Sequence, residues 1–573
     1  MNRYHMVRTP KAGFYQLIGI PGIIILAVLF LVPLAVVLSE AFVSDQGTIT
    51  FSRIIGLTTD PYIFKVLAFT LYQAAVSTVI SIVIAIPGAY MLSSYNFTGK
   101  RLVSAICMIP FVLPSILVVL GFVIFYGNNG MINVFLMKIF RLEEPPLKIL
   151  YSFKAIILAH AFYNFPLAIG IIASYWERLG TSLGHAAATL GAKRFTIFRT
   201  ITLARLVPAI ISAASLIFLF CFSSFAIMLV LGGGPQFTTM EVEIYRRARV
   251  MLDTGGAAAL SLISIAVAII LVAIYSWTQR VLARQEEVSI SDRSSSRHKR
   301  PIRSIWVKLA NLGYILLMIV FVLGPLASII VRSFQASETR TGAYTFTLKW
   351  YKQLFDSLFS SSSIDTVAVT AIFNSLAIAA IVTILAVVTS TFTAVSIGNK
   401  NHIGQLRSEL LAMSPMTVSS VIIGLGYYLI AIRLSNSGVL KMAAIVLAHV
   451  VIASPLVLRT VLPQYRGIPN SYRNASMTMG ATVGRTFRQI ELPLIRSAMA
   501  TGAAFAFAIS LGELNATLVL SDSHIVTLPV VLYRLIGSYN FPAACALGSI
   551  LIVLCTMVFF LTRIATRSRI RHV

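Results

Sequence analysis

Residues 185–204 read HAAATLGAKRFTIFRTITLA, and residues 474–493 read NASMTMGATVGRTFRQIELP. The two stretches align without a gap at an offset of 289 residues. The same offset pairs ILAHAFYNFPLAIG (157–170) with VLAHVVIASPLVLR (446–459). Repetition at a fixed spacing predicts an architecture of two equivalent halves.

A stretch nearer the start of each half also pairs, at a different offset of 305. The matched pairs are Pro110 with Pro415, Ser115 with Ser420 and Gly121 with Gly426. The change of offset places 16 additional residues in the first half, in the loop before its fourth apolar segment.

Composition determines the class of protein to which the repeat belongs. Of the 573 residues, 57% are apolar and 11% are charged, with a mean hydropathy of +0.87. An ordinary soluble chain carries about 25% charged residues. The sequence therefore predicts an all-α integral membrane protein.

Twelve apolar segments are long enough to cross a bilayer, which needs about 20 residues per helix. Six fall in each half of the sequence, in agreement with the repeat. They are 17–39, 66–92, 102–126, 153–176, 207–231 and 256–279, followed by 309–331, 367–394, 410–432, 439–462, 496–520 and 543–563.

The excess of positive charge predicts an orientation. The chain has 46 Lys and Arg against 19 Asp and Glu, a net charge of +27, and its basic residues lie in short gaps between apolar runs. Nucleic-acid binders place basic groups on a solvated face beside aromatic side chains, so we expect membrane lipids and no nucleic acid as neighbours. With the N-terminus inside, 30 of the 46 basic residues lie on the inner side, which favours cytoplasmic N- and C-termini. Six crossings per half make the two repeats parallel.

The sequence divides into two membrane halves, 1–283 and 306–573, joined by a linker at 284–305. The linker is Ser-rich and basic, and such a composition does not bury enough apolar surface to fold. A phosphate-binding or nucleic-acid-binding tail is the alternative, and an anchor on anionic lipid is compatible with a linker. The matched loops lie at about 177–206 in the first half and about 463–495 in the second.

Both matched loops have the same plan on the predicted cytoplasmic side. An Ala-rich turn is followed by a Gly that permits a sharp break, and then by a basic turn that ends in Phe-Arg-x-Ile. One such loop could be a helix lying on lipid headgroups, but two symmetric copies favour a symmetric pair of partners. The candidate coupling residues are His185, Ala186, Ala187, Gly191, Phe198, Arg199, Asn474, Ala475, Gly480, Phe487 and Arg488.

The loops resemble the EAA motif of binding-protein-dependent ABC importer permeases, which reads Glu-Ala-Ala, three residues, Gly, nine residues, Ile-x-Leu-Pro. Both copies keep this spacing, with Gly191 followed by Ile201 and Gly480 followed by Ile490. His185 replaces the leading Glu in the first copy, and Asn474 replaces it in the second. The first copy also lacks the final Pro.

This resemblance implies a type I importer permease that forms the substrate path by alternating access. Each loop would be a coupling helix seated on one of two copies of a separate ATPase subunit, and an extracytoplasmic binding protein would deliver the cargo. The chain has no GxxxxGK[ST] phosphate loop, so we expect it to be no enzyme and to bind no cofactor. ATP and Mg²⁺ would then belong to the partner subunit. The implied location is the bacterial cytoplasmic (inner) membrane.

Several stretches resemble the thiamine importer permeases in particular. They are LAHAFYNFP (158–166), CFSSFAIMLVLGGGPQFTTMEVEIYRRARVMLD (221–253), and SLGELNATLVL with TLPVVLYRLIGSYNF within 510–541. Thiamine or its phosphate esters would be the cargo. Ferric iron importer permeases are a sister family with a similar fused arrangement, so ferric iron is the alternative cargo.

Polar residues within or beside the apolar segments are candidates for the path or a gate. Glu513, with Asn515 beside it, could attract a cation from a cavity or make a structural hydrogen bond between helices. Glu241, Glu243 and Tyr245 follow the LGGGP turn, and the two Glu are expected to be solvated loop charges rather than a gate or a docking site.

His160 and His449 occupy equivalent positions in the two halves, which favours helix packing over binding of a ligand. The four cysteines, Cys107, Cys221, Cys545 and Cys555, fall in apolar segments without CxxC spacing and are expected to pack. No cluster of metal ligands is visible in the sequence, so we expect no metal site.

Two other classes of transport protein share part of this pattern. A secondary transporter with six-plus-six repeats has the same gross topology, but it does not need two matched Ala/Gly loops. A channel needs a filter-like loop or a ring of polar residues, and LGGGP is short and occurs once.

Overall fold

The structure is a computed structural model. It describes residues 11–43, 47–97, 99–107, 109–179, 182–232, 234–289, 300–301, 304–337, 344–356, 365–399, 402–435, 437–522 and 525–567. Most of the predicted linker at 284–305 lies outside the described residues.

The described residues are almost entirely helical. In the first half of the chain the α-helices are α1 Lys11–Phe42, α2 Ser52–Thr59, α3 Pro61–Ser94, α4 Lys100–Ile106, α5 Ile109–Val112, α6 Ser115–Tyr126, α7 Met131–Phe140, α8 Phe153–Arg178, α9 Ser182–Thr189, α10 Arg194–Ile197, α11 Ala204–Phe222, α12 Ala226–Leu231, α13 Met240–Tyr245 and α14 Thr254–Ser289.

The second half has twelve α-helices in the described residues. They are α15 Ile305–Ser333, α16 Lys349–Asp356, α17 Asp365–Gly398, α18 His402–Met413, α19 Ser420–Leu434, α20 Gly438–Arg466, α21 Asn470–Thr478, α22 Val483–Thr486, α23 Leu492–Gly512, α24 Asn515–Leu520, α25 Leu528–Gly537 and α26 Phe541–Arg567.

Two short sheets accompany the helices. In one, β1 (Tyr95–Asn96) pairs in parallel with β2 (Arg300–Pro301). In the other, β3 (Gln335–Ser337) and β4 (Tyr344–Phe346) form an antiparallel pair.

Eleven helices in the described residues are long and apolar enough to cross a membrane, or twelve when one bent pair counts as a single span. This number confirms the predicted all-α membrane fold. The ninth predicted segment, 410–432, is the bent pair, Gly404–Thr417 and Ser420–Leu434, with a bend of 90°. Pro415 lies in the 3₁₀ turn just before the bend, and a proline cannot donate the backbone hydrogen bond that would continue a helix.

Three other predicted segments have different bounds in the structure. The helix expected at 102–126 begins at Ser115, directly after Pro114. The segment 207–231 is divided after Phe222, and its counterpart 496–520 is divided after Gly512. Hydropathy does not detect these divisions, because the residues on both sides of each are apolar.

The helices pack into two compact units that do not follow the two halves of the sequence. The first-loop unit comprises Ile49–Tyr351 and Leu535–Ser549, and it contains the loop at 177–206. The second-loop unit comprises Met1–Thr48, Lys352–Arg534 and Ile550–Val573, and it contains the loop at 463–495. Each unit therefore includes the first long helix of the other half, α15 in the first-loop unit and α1 in the second-loop unit.

In the second-loop unit, α1 packs against α17 and α19 through small residues. A Cβ placed on Gly426 of α19 would lie 2.6 Å from the carbonyl oxygen of Pro33 in α1, closer than side-chain carbons approach. The hydroxyl of Tyr427 donates a hydrogen bond to the carbonyl of Leu29, 2.7 Å away. Pro33 cannot supply an N–H to its own helix, so a free carbonyl near this point of α1 is expected.

In the first-loop unit, α15 makes the corresponding contact with α6. A Cβ on Gly121 of α6 would lie 2.9 Å from the carbonyl oxygen of Pro325 in α15. The hydroxyl of Tyr314 in α15 donates to the carbonyl of Ile84 in α3, 2.9 Å away. Gly121 and Gly426 are one of the matched pairs of the repeat. Each unit therefore places a glycine against a proline of the exchanged helix, that is, the first long helix of the other half of the sequence (α15 or α1).

We expect substitution of either glycine to loosen its unit. Gly121→Leu or Gly426→Leu would force the proline backbone away, and overpacking of this kind costs about 1–3 kcal/mol. The measurement is thermal unfolding of the purified protein in detergent. Gly170→Leu in α8 is the control, because nothing lies within 4 Å of a Cβ at that position. Equal melting temperatures for the three variants would contradict the close contact.

Candidate functional site

The first matched loop begins with α9, which ends in a tight reversal at Gly191. Gly191 has a φ of +83°, a left-handed conformation that glycine adopts without strain. Its N–H donates to the carbonyl of Ala188, and the N–H of Ala192 donates to that of Ala187, each at 3.0 Å. This pair of bonds is a Schellman motif, which satisfies the last carbonyls of the helix.

The second loop ends its helix, α21, in the same way. Gly480 has a φ of +84°. Its N–H donates to the carbonyl of Met477 at 3.0 Å, and the N–H of Ala481 donates to that of Ser476 at 3.1 Å. The predicted break at Gly is therefore present in both loops, with the same backbone bonds.

Each loop returns toward the next long helix through a π-helix, in which the turns are wider than in an α-helix. The π-helices span Phe198–Leu203 and Phe487–Glu491, and they contain the two Phe-Arg-x-Ile stretches. The sequence predicted only a basic helical turn here. π-helices are rare in proteins, and those that occur often lie at functional sites.

Each loop exposes large apolar side chains. Leu190 and Met479 are each 88% exposed, and each is the residue before the glycine. One heptad earlier, Leu183 and Tyr472 are also exposed, so they lie on the same face of α9 and α21. These four residues were not among the coupling residues predicted from the sequence. Their signal was an apolar residue kept at equal positions in both repeats.

The predicted coupling residues lie around these four side chains. His185, Ala186, Asn474 and Ala475 are exposed on α9 and α21, and Ala187 is half-buried. In the π-helices the two arginines are exposed and the two phenylalanines are half-buried, namely Arg199, Arg488, Phe198 and Phe487. Each loop thus exposes small residues at its start, a large apolar residue before its glycine and an arginine in its π-helix.

Glu513 lies between α23 and α24, where the predicted eleventh span is divided. Its carboxylate accepts hydrogen bonds from the backbone N–H groups of Asn515, Ala516 and Thr517, at 3.1, 3.2 and 3.1 Å. His449 Nε2 is 3.6 Å from Glu513 Oε2 and 2.8 Å from the hydroxyl of Thr517. The geometry is that of a buried carboxylate that caps the short helix α24.

Asn515 joins this helix break to α19. Its Nδ2 donates to the hydroxyl of Ser420, 2.9 Å away. Its side-chain oxygen is buried without a hydrogen-bond partner. An acceptor of this kind is available to a donor of another molecule or to water, so Asn515 stays a candidate for the path.

The two equivalent histidines are both buried and hydrogen-bonded. His160 Nδ1 lies 3.0 Å from the hydroxyl of Ser77, and His449 Nδ1 lies 2.9 Å from that of Ser510. These are contacts between packed helices, in agreement with the interpretation that the sequence favoured. Among the described residues, no group of three or more His, Cys, Asp or Glu is placed to hold a metal ion.

The expectation that Glu241 and Glu243 are solvated loop charges is wrong. Both are fully buried in α13, at 0% exposure. Glu243 accepts hydrogen bonds from Arg246 and Arg247 at 2.8 and 3.1 Å, and from the hydroxyl of Tyr62 at 3.1 Å. The two arginines follow at i+3 and i+4, a spacing that places them beside the carboxylate on a helix. The contact with Glu243 in turn raises the pKa of the Arg246 guanidinium.

The other two candidate gate residues of α13, Glu241 and Tyr245, also pack against neighbouring side chains. Glu241 accepts a hydrogen bond from the hydroxyl of Ser264 in α14, 3.3 Å away. The ring of Tyr245 meets that of Phe225 edge to face, with centroids 5.4 Å apart. Glu241 and Glu243 are therefore buried in the first-loop unit, and Tyr245 is half-buried beside them.

A cavity of about 680 Å³ lies where α17 and α20 begin in the second-loop unit. Its lining is mostly apolar and consists of Thr370, Asn374, Gly438, Val439, Met442, Ala443, Val446, Leu447 and Ile525. At the corresponding end of the first-loop unit, the rings of Phe69, Phe153 and Phe237 pack together, with Phe69 6.1 Å from Phe153 and 5.7 Å from Phe237. The two repeats thus differ in how this end is filled.

The repeat, the helix content and the paired loops can now be compared with known proteins. Residues 77–284 and 390–571 match the family described as "Binding-protein-dependent transport system inner membrane component". The chain belongs to this family. Each match contains one of the two loops, and the family is one of multi-pass inner-membrane permeases, not of enzymes.

Full-length relatives extend the comparison across most of the chain. The thiamine transport system permease protein ThiP of Brucella abortus (strain 2308) is 28% identical over 515 residues, 89% of each chain. ThiP of Escherichia coli (strain K12) is 26% identical over 510 residues, 87% of this chain and 88% of the relative. The ferric transport system permease protein FbpB of Actinobacillus pleuropneumoniae is 24% identical over 554 residues, 94% of this chain and 77% of the relative.

We expect Glu243→Gln to destabilise the first-loop unit strongly. The change removes the buried charge that Arg246 and Arg247 share, which leaves Arg247 with Asp253 alone, 3.0 Å away. Loss of one partner of a buried pair costs about 3 kcal/mol or more. Thermal unfolding in detergent measures the effect. Glu144→Gln is the control, because Glu144 forms an exposed pair with Lys148 and its loss is expected to leave the stability unchanged. A melting temperature of Glu243→Gln equal to that of the control would contradict a structural role for the buried pair.

Proposed function

We propose that this permease carries thiamine or its phosphate esters inward. The observation that carries the proposal is the match to thiamine permeases over nine-tenths of both chains. The ferric permease relative is less similar and its chain is covered less fully.

We propose further that the two loops dock two copies of a separate ATPase, which holds the ATP and Mg²⁺. Two equal partners need two equal surfaces, and the loops offer them. Both reverse at a left-handed glycine with the same pair of backbone bonds, and both expose a large apolar side chain beside it. An exposed apolar residue that becomes buried at the centre of an interface is typical of a binding hot spot.

The proposed docking surface determines the orientation. The ATPase works where ATP is available, so both loops and both termini are placed on the cytoplasmic side. The distribution of Lys and Arg supports the same orientation. The extracytoplasmic binding protein would then deliver cargo to the opposite face.

Transport in this scheme requires helices that change their relative position when ATP closes the ATPase pair. The divided helices supply places where such a change is possible. In the second-loop unit the break at Glu513 and the 90° bend before Ser420 are joined by the hydrogen bond between Asn515 and Ser420. Irregular backbone in a membrane is stable where protein groups satisfy it, as Glu513 does here.

The docking proposal predicts that the loop tips anchor the ATPase. In the double variant Leu190→Ser, Met479→Ser, each site loses an apolar side chain whose burial contributes about 1.5–3 kcal/mol, so we expect binding to fall at least tenfold. The measurement is the dissociation constant between purified permease and ATPase.

Val439→Ser is the matched control for this variant. Val439 is 84% exposed at the start of α20, away from both loops, so the control tests loss of an exposed apolar side chain elsewhere. Unchanged ATPase affinity in the double variant would refute docking through these tips.

The cargo proposal is tested by uptake in vesicles that contain the permease, its ATPase and its binding protein. We expect radiolabelled thiamine to accumulate only with ATP, and unlabelled thiamine to compete. Uptake of ferric iron that thiamine does not inhibit would establish the alternative cargo. Thiamine uptake driven by an ion gradient after ATP depletion would instead indicate a secondary transporter.

A further inference from the structure

The base of the second loop contains a buried carboxylate, Glu491, that the candidate site does not include. It is the last residue of the π-helix in the second loop, and its exposure is 0%. The hydroxyl of Tyr15 donates to Glu491 Oε1 at 2.9 Å, and the hydroxyl of Tyr465 donates to Oε2 at 3.2 Å. Arg473 forms an ion pair with the same carboxylate.

These contacts connect distant parts of the chain within the second-loop unit. Tyr15 belongs to α1, Tyr465 to the last turns of α20, and Arg473 to the loop helix α21. Asn399, just after α17, donates to the Tyr465 hydroxyl at 2.8 Å. A single carboxylate therefore joins the loop helix to two long helices.

The geometry restrains the loop helix strongly. The Arg473 guanidinium lies over the ring of Tyr465, 5.1 Å from its centroid, and also donates to the side chain of Asn470 at 3.0 Å. A buried carboxylate needs both a counter-charge and hydrogen bonds, because an unpaired charge in the interior is costly. Any rotation of α21 that withdraws Arg473 would leave Glu491 without its counter-charge.

The positions of the first loop that correspond to Arg473, Glu491 and Tyr465 hold no charged residue. At the repeat offset of 289, Gly184 replaces Arg473, Thr202 replaces Glu491 and Trp176 replaces Tyr465. The Trp176 ring instead stacks on Phe198 of the first π-helix, with centroids 6.3 Å apart, and meets Tyr90 of α3 at 5.3 Å. Aromatic contacts thus hold the first loop, and a charged network holds the second.

We propose that Glu491 is a positioning residue for energy coupling, which fixes the second loop helix to α1 and α20 so that movement of that loop is transmitted to both. The inference rests on the proposed coupling role of the loops. The two loops then have similar docking surfaces but are attached to the long helices by different contacts. The second loop acts through a network that includes α1, the helix that comes from the other half of the sequence.

The attachment itself is tested without the ATPase. Hydrogen exchange of the purified permease is compared between wild type, Glu491→Gln and Tyr15→Phe, with attention to the backbone amides of 474–481 and 185–192. We expect exchange to rise several-fold in the second loop, more in Glu491→Gln than in Tyr15→Phe, and to stay unchanged in the first. Tyr15→Phe removes one hydroxyl only, so it tests the network even if Glu491→Gln fails to fold.

Glu409→Gln is the matched control. Glu409 pairs with Arg466 at 2.7 Å in the same unit, but its side chain is 35% exposed. We expect its exchange to equal that of wild type in both loops. An unchanged second loop in the Tyr15 and Glu491 variants, or an equal rise in both loops, would overturn the attachment.

The coupling role needs a second measurement, the amount of cargo transported per ATP hydrolysed in the assembled importer. We expect this ratio to fall in Glu491→Gln and Tyr15→Phe while ATP hydrolysis continues. A double variant, Glu491→Gln with Arg473→Gln, is expected to be no worse than Glu491→Gln alone, because it leaves no lone buried charge.

A looser second loop with an unchanged ratio would overturn the coupling role. Failure of the wild-type permease to bind any ATPase would overturn the proposed function instead, and the exchange result would still decide the attachment.

Discussion

The close approach of a glycine to the backbone of a proline-containing helix is the contact on which each compact unit depends. Apolar side chains gain little by leaving lipid for another apolar helix, so helices in a membrane associate through close packing and hydrogen bonds. Gly121 admits the carbonyl of Pro325, Gly426 admits that of Pro33, and a tyrosine hydroxyl adds a hydrogen bond in each unit. Both contacts bring in the first long helix of the other sequence half. The family match begins after α1 and resumes after α15, so the exchanged helices lie outside the part of the chain that the family defines.

The two loops have similar exposed surfaces, but different residues pack beneath them. The backbone reversal at Gly191 and Gly480 and the exposed residues Leu190 and Met479 are nearly identical, as an identical pair of partners would require. The residues beneath them would not be constrained by such a partner. Trp176 packs against Phe198 of the first loop, whereas Glu491 of the second loop accepts a hydrogen bond from Tyr465. With different supports beneath similar surfaces, the two loops would respond differently to the proposed pair of partners.

Sequence reasoning reached the helical membrane fold, the repeat and the broken loop helices, because each depends on local composition or on a single residue type such as Gly191. It could not assign α1 and α15 to their units, since the packing partner of an apolar helix is not encoded in its own periodicity. It misplaced Glu243 because the preceding LGGGP turn suggested an exposed loop, although Arg246 and Arg247 at helical spacing were a signal of pairing. It overlooked Glu491, whose signal was a lone acidic residue at the start of an apolar segment in a chain poor in acids.

Four carboxylates among the described residues are buried, namely Glu241, Glu243, Glu491 and Glu513, and three of them lie where a helix breaks or changes type. Glu243 lies just before the π-helix at Arg246–Val250, Glu491 ends the π-helix before α23, and Glu513 caps α24 after α23 ends. At each of these sites the regular backbone pattern is interrupted. Glu513 satisfies backbone N–H groups at its break. Glu243 and Glu491 instead accept hydrogen bonds from arginine and tyrosine side chains. A carboxylate can accept from several donors at once, as Glu513 does from three backbone N–H groups. With only 19 acidic residues against 46 basic ones, these three are placed where helices break or change type, which are also the places where a helical bundle can bend.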